Sequence, residues 1–429
     1  MHVADKPFGI VAYHLAGDEG APLAFMFGTD PDPAAATVVV VPEPRNRELR
    51  FEALAEFGEA LNNYLAVSDG PQLLFANDTT ANWLLDLVAS YTRYVQAGPP
   101  SVAEAGKNMS QLFQLMTVPG SSIVLRATSA LSTHFKTGQL STEDLNLGAQ
   151  LAWITDPGEL TAAQAAAQAE VAPPAGPQSD PEWDASFLEG LMGDWRSARR
   201  AANPALAQDL LRQQLERQAR SELTWGWRWM WQARDILAAL PEAPYVAARY
   251  AVDVAEWGDH VGRMRRGEAR FADRPNARFT ATRLQEHEMQ LDLAEARAAG
   301  SDPLVLARDV VKGEVVDGTV LSADLTARVG RLPRPRLVVQ PAVECTIAPG
   351  STVYLTRSMS VEMRVGPTRR APLDPITLTV ESGANNATTM HLLPSQGKRL
   401  VASLRKATRR DPPPMGAGVP WTHVMPGTS

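Results

Sequence analysis

Between residues 224 and 231 the chain reads Thr224-Trp225-Gly226-Trp227-Arg228-Trp229-Met230-Trp231, so four of its ten tryptophans lie within eight residues. The flanking stretches have helical character. On a helix, Trp225 and Trp229 fall on one face and Trp227 and Trp231 on nearly the opposite one, so both faces are expected to find cover. The segment is therefore read as the centre of a helical core. It constrains architecture and says little about chemistry.

The 429 residues suggest two or three domains, and 45% hydrophobic with 21% charged residues is the balance of a globular chain with ample apolar surface to bury. No apolar run approaches the roughly 20 residues that cross a bilayer. The start, from Met1 to Lys6, lacks a basic segment leading into an apolar one, so a cytoplasmic address is expected. The single cysteine, Cys345, excludes an internal disulfide and a zinc site built on cysteine pairs. Seven histidines are scattered without His-x-x-x-His spacing, so no resident metal or cofactor is expected. The excess of arginine over lysine, with abundant alanine and proline, reads as a bacterial, GC-rich genome.

The net charge of −7 hides a gradient: residues 1–170 carry 8 basic and 19 acidic side chains, 171–300 carry 17 and 19, and 301–429 carry 16 and 10. An acidic front and a basic rear serve either complementary assembly or contact with a polyanion.

Strands are predicted at Phe8 to Leu15, Leu23 to Phe27, Thr37 to Val41, Gln72 to Ala76 and Ser122 to Ala127, with helices near Glu48 to Ala66, Thr80 to Gln96 and Val102 to Met116. Ser141-Thr142-Glu143-Asp144 has the form of a capping box for a further helix. Residues 155–181, ending in Val171 to Pro181 with its four prolines, read as a linker. Residues 182–312 read as a helical bundle, 313–405 as a small β-barrel or sandwich, and 406–429 as a mobile basic tail. The fold class expected is multidomain: an N-terminal α/β domain (1–154), a central helical bundle and a C-terminal small β-barrel.

Three strands, a helix, a strand, a helix and later a fifth strand over residues 8–154 resemble the element order of the ribonuclease H-like superfamily, including its 3′–5′ exonuclease branch. In that family, acids on the first strand, the first helix and the end of the fourth strand hold two metal ions that activate water. The resemblance implies candidate positions Asp18, Asp78, a glutamate of the first helix such as Glu48, and Glu143, with Mg²⁺ or Mn²⁺ only if the chain is a nuclease. The first strand, Phe8 to Leu15, carries no carboxylate, and Asp18 and Glu19 follow only in the next turn. Asp78 precedes a helix start, where capping also suits it. The glutamates from Glu48 to Glu59 lie opposite the apolar stripe of their helix. A degenerate domain used for binding is the expected outcome.

Other chemistry is poorly supported. Gly106-Lys107-Asn108 and Gly397-Lys398-Arg399 lack the first glycine and the hydroxyl of a phosphate-cradling loop, and Gly-x-Ser-x-Gly is absent. His134 and Lys136 join a possible general base and a cation in one loop. Arg263, Arg265, Arg266, Arg270, Arg274, Arg278 and Arg283 form the main candidate surface for phosphates, with Arg405, Lys406, Arg409 and Arg410 as a second cluster. The function expected is that of an accessory protein of bacterial nucleic-acid metabolism or defence, binding nucleic acid through arginines and a protein partner, such as a helicase or nuclease, through its acidic front. The alternatives are a scaffold protein without a nucleic-acid role and an active metal-dependent nuclease.

Overall fold

The computed structural model describes the chain except residues 95–98, 141–142, 244, 272–276, 368–369, 385–388 and 406–429, and except the side chains of 143, 277–279 and 301. The chain divides into two compact units. One comprises Met1–Thr117, Ser121–Glu242 and Val246–Asp273; the other comprises Val118–Gly120, Ala243–Tyr245 and the chain from Arg274 onward.

The first unit is built on a five-stranded sheet of β1 (Phe8–Leu15), β2 (Asp18–Gly28), β3 (Thr37–Val40), β4 (Leu73–Phe75) and β5 (Val124–Arg126). Their order is β3-β2-β1-β4-β5; β2 runs antiparallel to β1 and β3, while β1, β4 and β5 are parallel. β1 is buried along its whole length, so its residues serve both faces. Phe8, Ile10 and Ala12 join one core and Val11, Tyr13 and Leu15 the other.

The first of these faces is covered by α1 (Arg47–Val67), by a helix that runs from α2 (Asp78–Asn82) through a π-helical stretch (Trp83–Val88) into α3 (Ala89–Thr92), and by α4 (Pro100–Met116). α1 forms where Asn46 caps the amides of Glu48 and Leu49, and it buries Leu54, Phe57, Leu61 and Leu65 at helical spacing. After β5 come α5 (Ala127–His134) and α6 (Leu147–Ile154). The cap of α6 is Asn146, whose side chain accepts from the Ala149 amide; Ser141 and Thr142 of the expected box lie outside the described residues.

The tryptophan-rich segment lies in α10 (Pro204–Ala238), which follows α7 (Ala162–Glu170), α8 (Pro181–Trp183) and α9 (Glu189–Ala198). The sequence places this helix in a bundle of its own. In the structure its stripe of Leu215, Ala219, Leu223, Trp227 and Met230 packs on the second face of the sheet, against Val11, Met26, Val38 and Leu74. Such a sheet needs cover on both faces, and the helices after β5 alone do not supply it. Trp227 and Trp231 are buried as expected, whereas Trp225 is 45% exposed and only Trp229 of that pair packs against the core. The unit closes with α11 (Val246–Arg265), tied to the start of β5 by Asp253, which accepts from the Ser122 amide at 3.0 Å and lies 2.9 Å from Arg249.

The second unit contains α12 (Ala277–Ser301), α13 (Pro303–Val311) and a closed six-stranded barrel, in line with the expected C-terminal barrel. Its strands are β6 (Val315–Asp324), then, after the short hairpin of β7 (Arg328–Val329) and β8 (Leu332–Pro333), β9 (Arg336–Pro341), β10 (Thr352–Leu355), β11 (Glu362–Val365), β12 (Ile376–Ser382) and β13 (Arg399–Ser403). Closure in the order β10-β11-β12-β9-β6-β13 leaves no barrel edge unpaired. The interior is aliphatic, with Val316, Leu337, Val353, Met363, Leu378 and Leu400 among its buried residues. No helix among the described residues is long and apolar enough to cross a membrane.

Candidate functional site

In open α/β sheets ligands are met at the carboxyl ends of the strands, where the strand order reverses. Here that place is the end of β1 and β4. Their pairing stops at Ile10 and Phe75, yet β1 runs on to Leu15, which leaves its backbone groups beyond the end of β4 in need of partners. The segment 174–179 supplies them. The His14 amide donates to the Pro177 carbonyl at 2.7 Å, and the Ser179 amide donates to the His14 carbonyl at 3.0 Å. The Tyr13 hydroxyl donates to the Pro174 carbonyl, and Asn77 Nδ2 donates to the Gly176 carbonyl at 2.8 Å. Gly176 has φ +90°, and a Cβ there would meet the Ala12 carbonyl oxygen at 2.5 Å, so only glycine lets the strap lie this close. From the other side Gly226 of α10 admits the strap, since a Cβ on it would stand 2.9 Å from Ala175 Cα. The segment expected as a linker is thus a strap that fills the crevice.

Two of the carboxylates proposed for catalysis, Asp78 and Asp18, are engaged elsewhere. Asp78 accepts from Arg126 at 2.5 Å and from the Ser129 hydroxyl. The helix cap after β4 is Asn77, whose Oδ1 accepts from the Thr80 amide at 2.8 Å. Asp18 accepts from Arg45 at 2.8 Å. Glu48 stands exposed in the first turn of α1, and the side chain of Glu143 lies outside the described residues. Among the described residues no three His, Cys, Asp or Glu side chains converge as metal ligands do. With a strap under Ala12 and no acid on β1, the residues present do not fit a two-metal centre. His134 ends α5 and, like Lys136, is exposed; the loop after it is held by Asp144, which accepts from Thr137 at 2.7 Å and Gln139 at 2.9 Å.

The arginines meet different fates. Arg405 belongs to an ion cluster inside the second unit. It donates to Asp309 at 2.9 Å, to Glu314 at 3.2 Å and to Glu295, and Asp309 is fully buried. That arrangement neutralises the guanidinium and corrects the expectation that Arg405 meets phosphate. Arg266 pairs with Glu268 at 2.7 Å. Arg263, Arg265 and Arg270, at and just beyond the end of α11, make no ion pair among the described residues, and Arg263 reaches Gln111 at 3.4 Å. Arg263 and Lys107 flank His260. Burial first, then these two cations, push the His260 imidazole down to about 4. Arg283 lies on α12, in the other unit. Arg274, Arg409, Arg410 and the side chain of Arg278 lie outside the described residues.

Two features escape the sequence reading. The β7–β8 hairpin exposes Val329 and Leu332, 56% and 58% accessible, as a facing pair beside Arg328 and Arg331. Gly330, with φ +62°, opens its two-residue loop. Neither arginine has an ion-pair partner among the described residues, while Glu381 and Asp317 of the barrel are taken by Arg364 and Arg399. The run Arg328-Val329-Gly330-Arg331-Leu332-Pro333-Arg334 carries this signal in its sequence. The second feature is a concave pocket of about 380 Å³ between α1, α3 and the start of β2, lined by Gly20, Arg47, Arg50, Phe51, Tyr91 and Tyr94 among others.

No known protein-family description, curated protein or solved structure matches this chain.

Proposed function

We propose that this chain is a non-cleaving nucleic-acid-binding protein of a bacterial cytoplasm. Its first unit is read as a ribonuclease H-like domain whose crevice has been given over to an internal strap. The strand order β3-β2-β1-β4-β5, with β2 reversed, supports that reading. The strap and the engagement of Asp78 by Arg126 and Ser129 support the loss of cleavage.

The observation that carries binding is the β7–β8 hairpin. Two large apolar side chains held in water beside two arginines without ion-pair partners suit a polyanion with apolar faces, such as the phosphates and bases of a nucleic acid. Arg263, Arg265 and Arg270 offer a further anion-receptive face on the first unit. The acidic N-terminal third is the surface read as meeting a protein partner, such as a helicase or nuclease.

Anisotropy of labelled oligonucleotides across a salt series tests the reading. The wild type is expected to bind with a steep salt dependence. Arg328→Ala with Arg331→Ala is expected to flatten the log–log slope by about 1.5, the loss of two phosphate contacts. Val329→Ser with Leu332→Ser is expected to weaken binding at nearly unchanged slope. No binding at low salt, or an unchanged slope in the double arginine variant, overturns it.

A further inference from the structure

The pocket beside β2 brings two guanidinium groups and three aromatic rings together around one cavity. Arg47 lies over the Phe51 ring at 5.4 Å and donates from Nη2 to the Tyr94 carbonyl at 2.9 Å. Arg50 lies over the Tyr91 ring at 5.8 Å and donates from Nη1 to the Gly20 carbonyl at 2.6 Å. Each guanidinium is therefore oriented by a neutral carbonyl and an aromatic face, and each has donors to spare, since five N–H groups are available per arginine. Among the described residues neither makes an ion pair. Arg45 occupies Asp18 at 2.8 Å. The acids near Tyr91 are Asp18 and Glu19, and Glu48 stands in the same turn of α1 as Arg47.

We propose that this pocket holds one nucleotide, its base against the exposed Tyr94 ring and its terminal phosphate on Arg47 and Arg50. A volume of about 380 Å³ falls at the small end of ligand pockets, which suits one base and its phosphate rather than a longer segment. Aromatic rings give sequence-tolerant stacking, and paired guanidinium groups give bidentate phosphate recognition. The pocket opens near the start of β2, whose Asp18 pairs with Leu15 at the end of β1, so it lies at the carboxyl end of the first strand. The proposal rests on the nucleic-acid reading for its ligand class but uses none of the hairpin residues. The shared chemistry is a nucleoside carrying a phosphate monoester on its sugar, supplied by a free mononucleotide or by the end of a strand.

Calorimetric titration of the full chain with AMP, adenosine and inorganic phosphate tests it. AMP is expected to bind more tightly than either fragment, and Arg47→Gln with Arg50→Gln to weaken AMP about tenfold or more. Because Arg50 also ties α1 to Gly20, Arg47→Gln alone is the second variant, with thermal unfolding as a check on folding. Oligonucleotides with a phosphate or a hydroxyl terminus are then competed against AMP. Preference for the phosphorylated strand assigns the site to strand ends, and preference for AMP assigns it to free nucleotide. Absence of AMP binding at millimolar concentration, or equal AMP affinity in folded variants, overturns the proposal. Should the Arg328 and Arg331 variant lose oligonucleotide binding while AMP does not bind at all, the pocket fails and the wider reading stands.

Discussion

Asn77 holds the Gly176 carbonyl at 2.8 Å with the same side chain whose oxygen caps the helix after β4. One residue thus fixes both the helix start and the strap across the end of β1. Asn77→Ala should cost about 2–3 kcal/mol, the sum of a lost cap and a lost hydrogen bond to a carbonyl in a closed crevice. Asn77→Asp separates the roles, since it keeps the capping oxygen and loses the donor. Amide exchange at His14 and Ser179 should quicken in both variants, whereas Thr80 should stay protected only with aspartate. Unchanged exchange at His14 in both variants would mean that the strap does not depend on Asn77.

Trp227 is fully buried between α10 and the sheet, and its indole N–H donates to the Pro31 carbonyl at 3.0 Å. Trp227→Ala should destabilise by about 3–5 kcal/mol, the cost of a large aromatic cavity. Trp227→Phe, which keeps much of the ring but strands the carbonyl, should cost about 1–3 kcal/mol. Trp225→Ala, at an exposed position two residues away, should cost well under about 1 kcal/mol. Urea unfolding followed by tryptophan fluorescence distinguishes the three.

These two sites lie on either side of the line between what the sequence declares and what it hides: the burial of Trp227 can be read from it, the strap held by Asn77 cannot. Runs such as Phe8 to Leu15 and Thr37 to Val40 declare strands because β-branched and aromatic residues bounded by turn residues have few alternatives, and α1 declares itself by its apolar stripe. The strap did not declare itself. Its prolines remove donors, which suggested a linker, but the carbonyls of Pro174 and Pro177 are the groups that bind β1, and proline keeps its acceptor. Periodicity also cannot tell a helix packed on a sheet from one packed on helices, so from sequence α10 reads as a bundle helix. The fate of Arg405 was hidden because Glu295, Asp309 and Glu314 come to it from up to 110 residues away.

His260 is buried on α11 and meets Asn108 Oδ1 at 2.9 Å through Nε2. Because Asn108 Nδ2 donates to Asn62, its Oδ1 is an acceptor, so His260 Nε2 carries a hydrogen. Burial, Arg263 and Lys107 lower the imidazole to about 4, below its ordinary value of 6.5. The unfolded chain therefore takes up a proton before the folded one does, and stability falls as pH drops from about 6.5 to about 4. The full shift corresponds to about 3 kcal/mol, and screening near the helix end leaves about 2 kcal/mol. His260→Gln should lose this component of the pH dependence in urea unfolding between pH 7 and 4.5. An identical profile in the variant would assign the acid sensitivity to other groups.

Arg405 sits among Asp309, Glu314 and Glu295, and Asp309 has no solvent contact. Its removal leaves a buried carboxylate with, among the described residues, only Arg308, at 3.1 Å, to compensate it. Arg405→Met keeps the stem and deletes the charge, so it should cost about 2–4 kcal/mol, toward the range for breaking a buried pair from one side. A phosphate contact would behave in the opposite way, leaving stability nearly intact and reducing the salt slope of oligonucleotide binding by about 0.7–0.9. Thermal unfolding and anisotropy on one preparation decide between them. The ion cluster predicts a lowered transition temperature, with an unchanged salt slope below it.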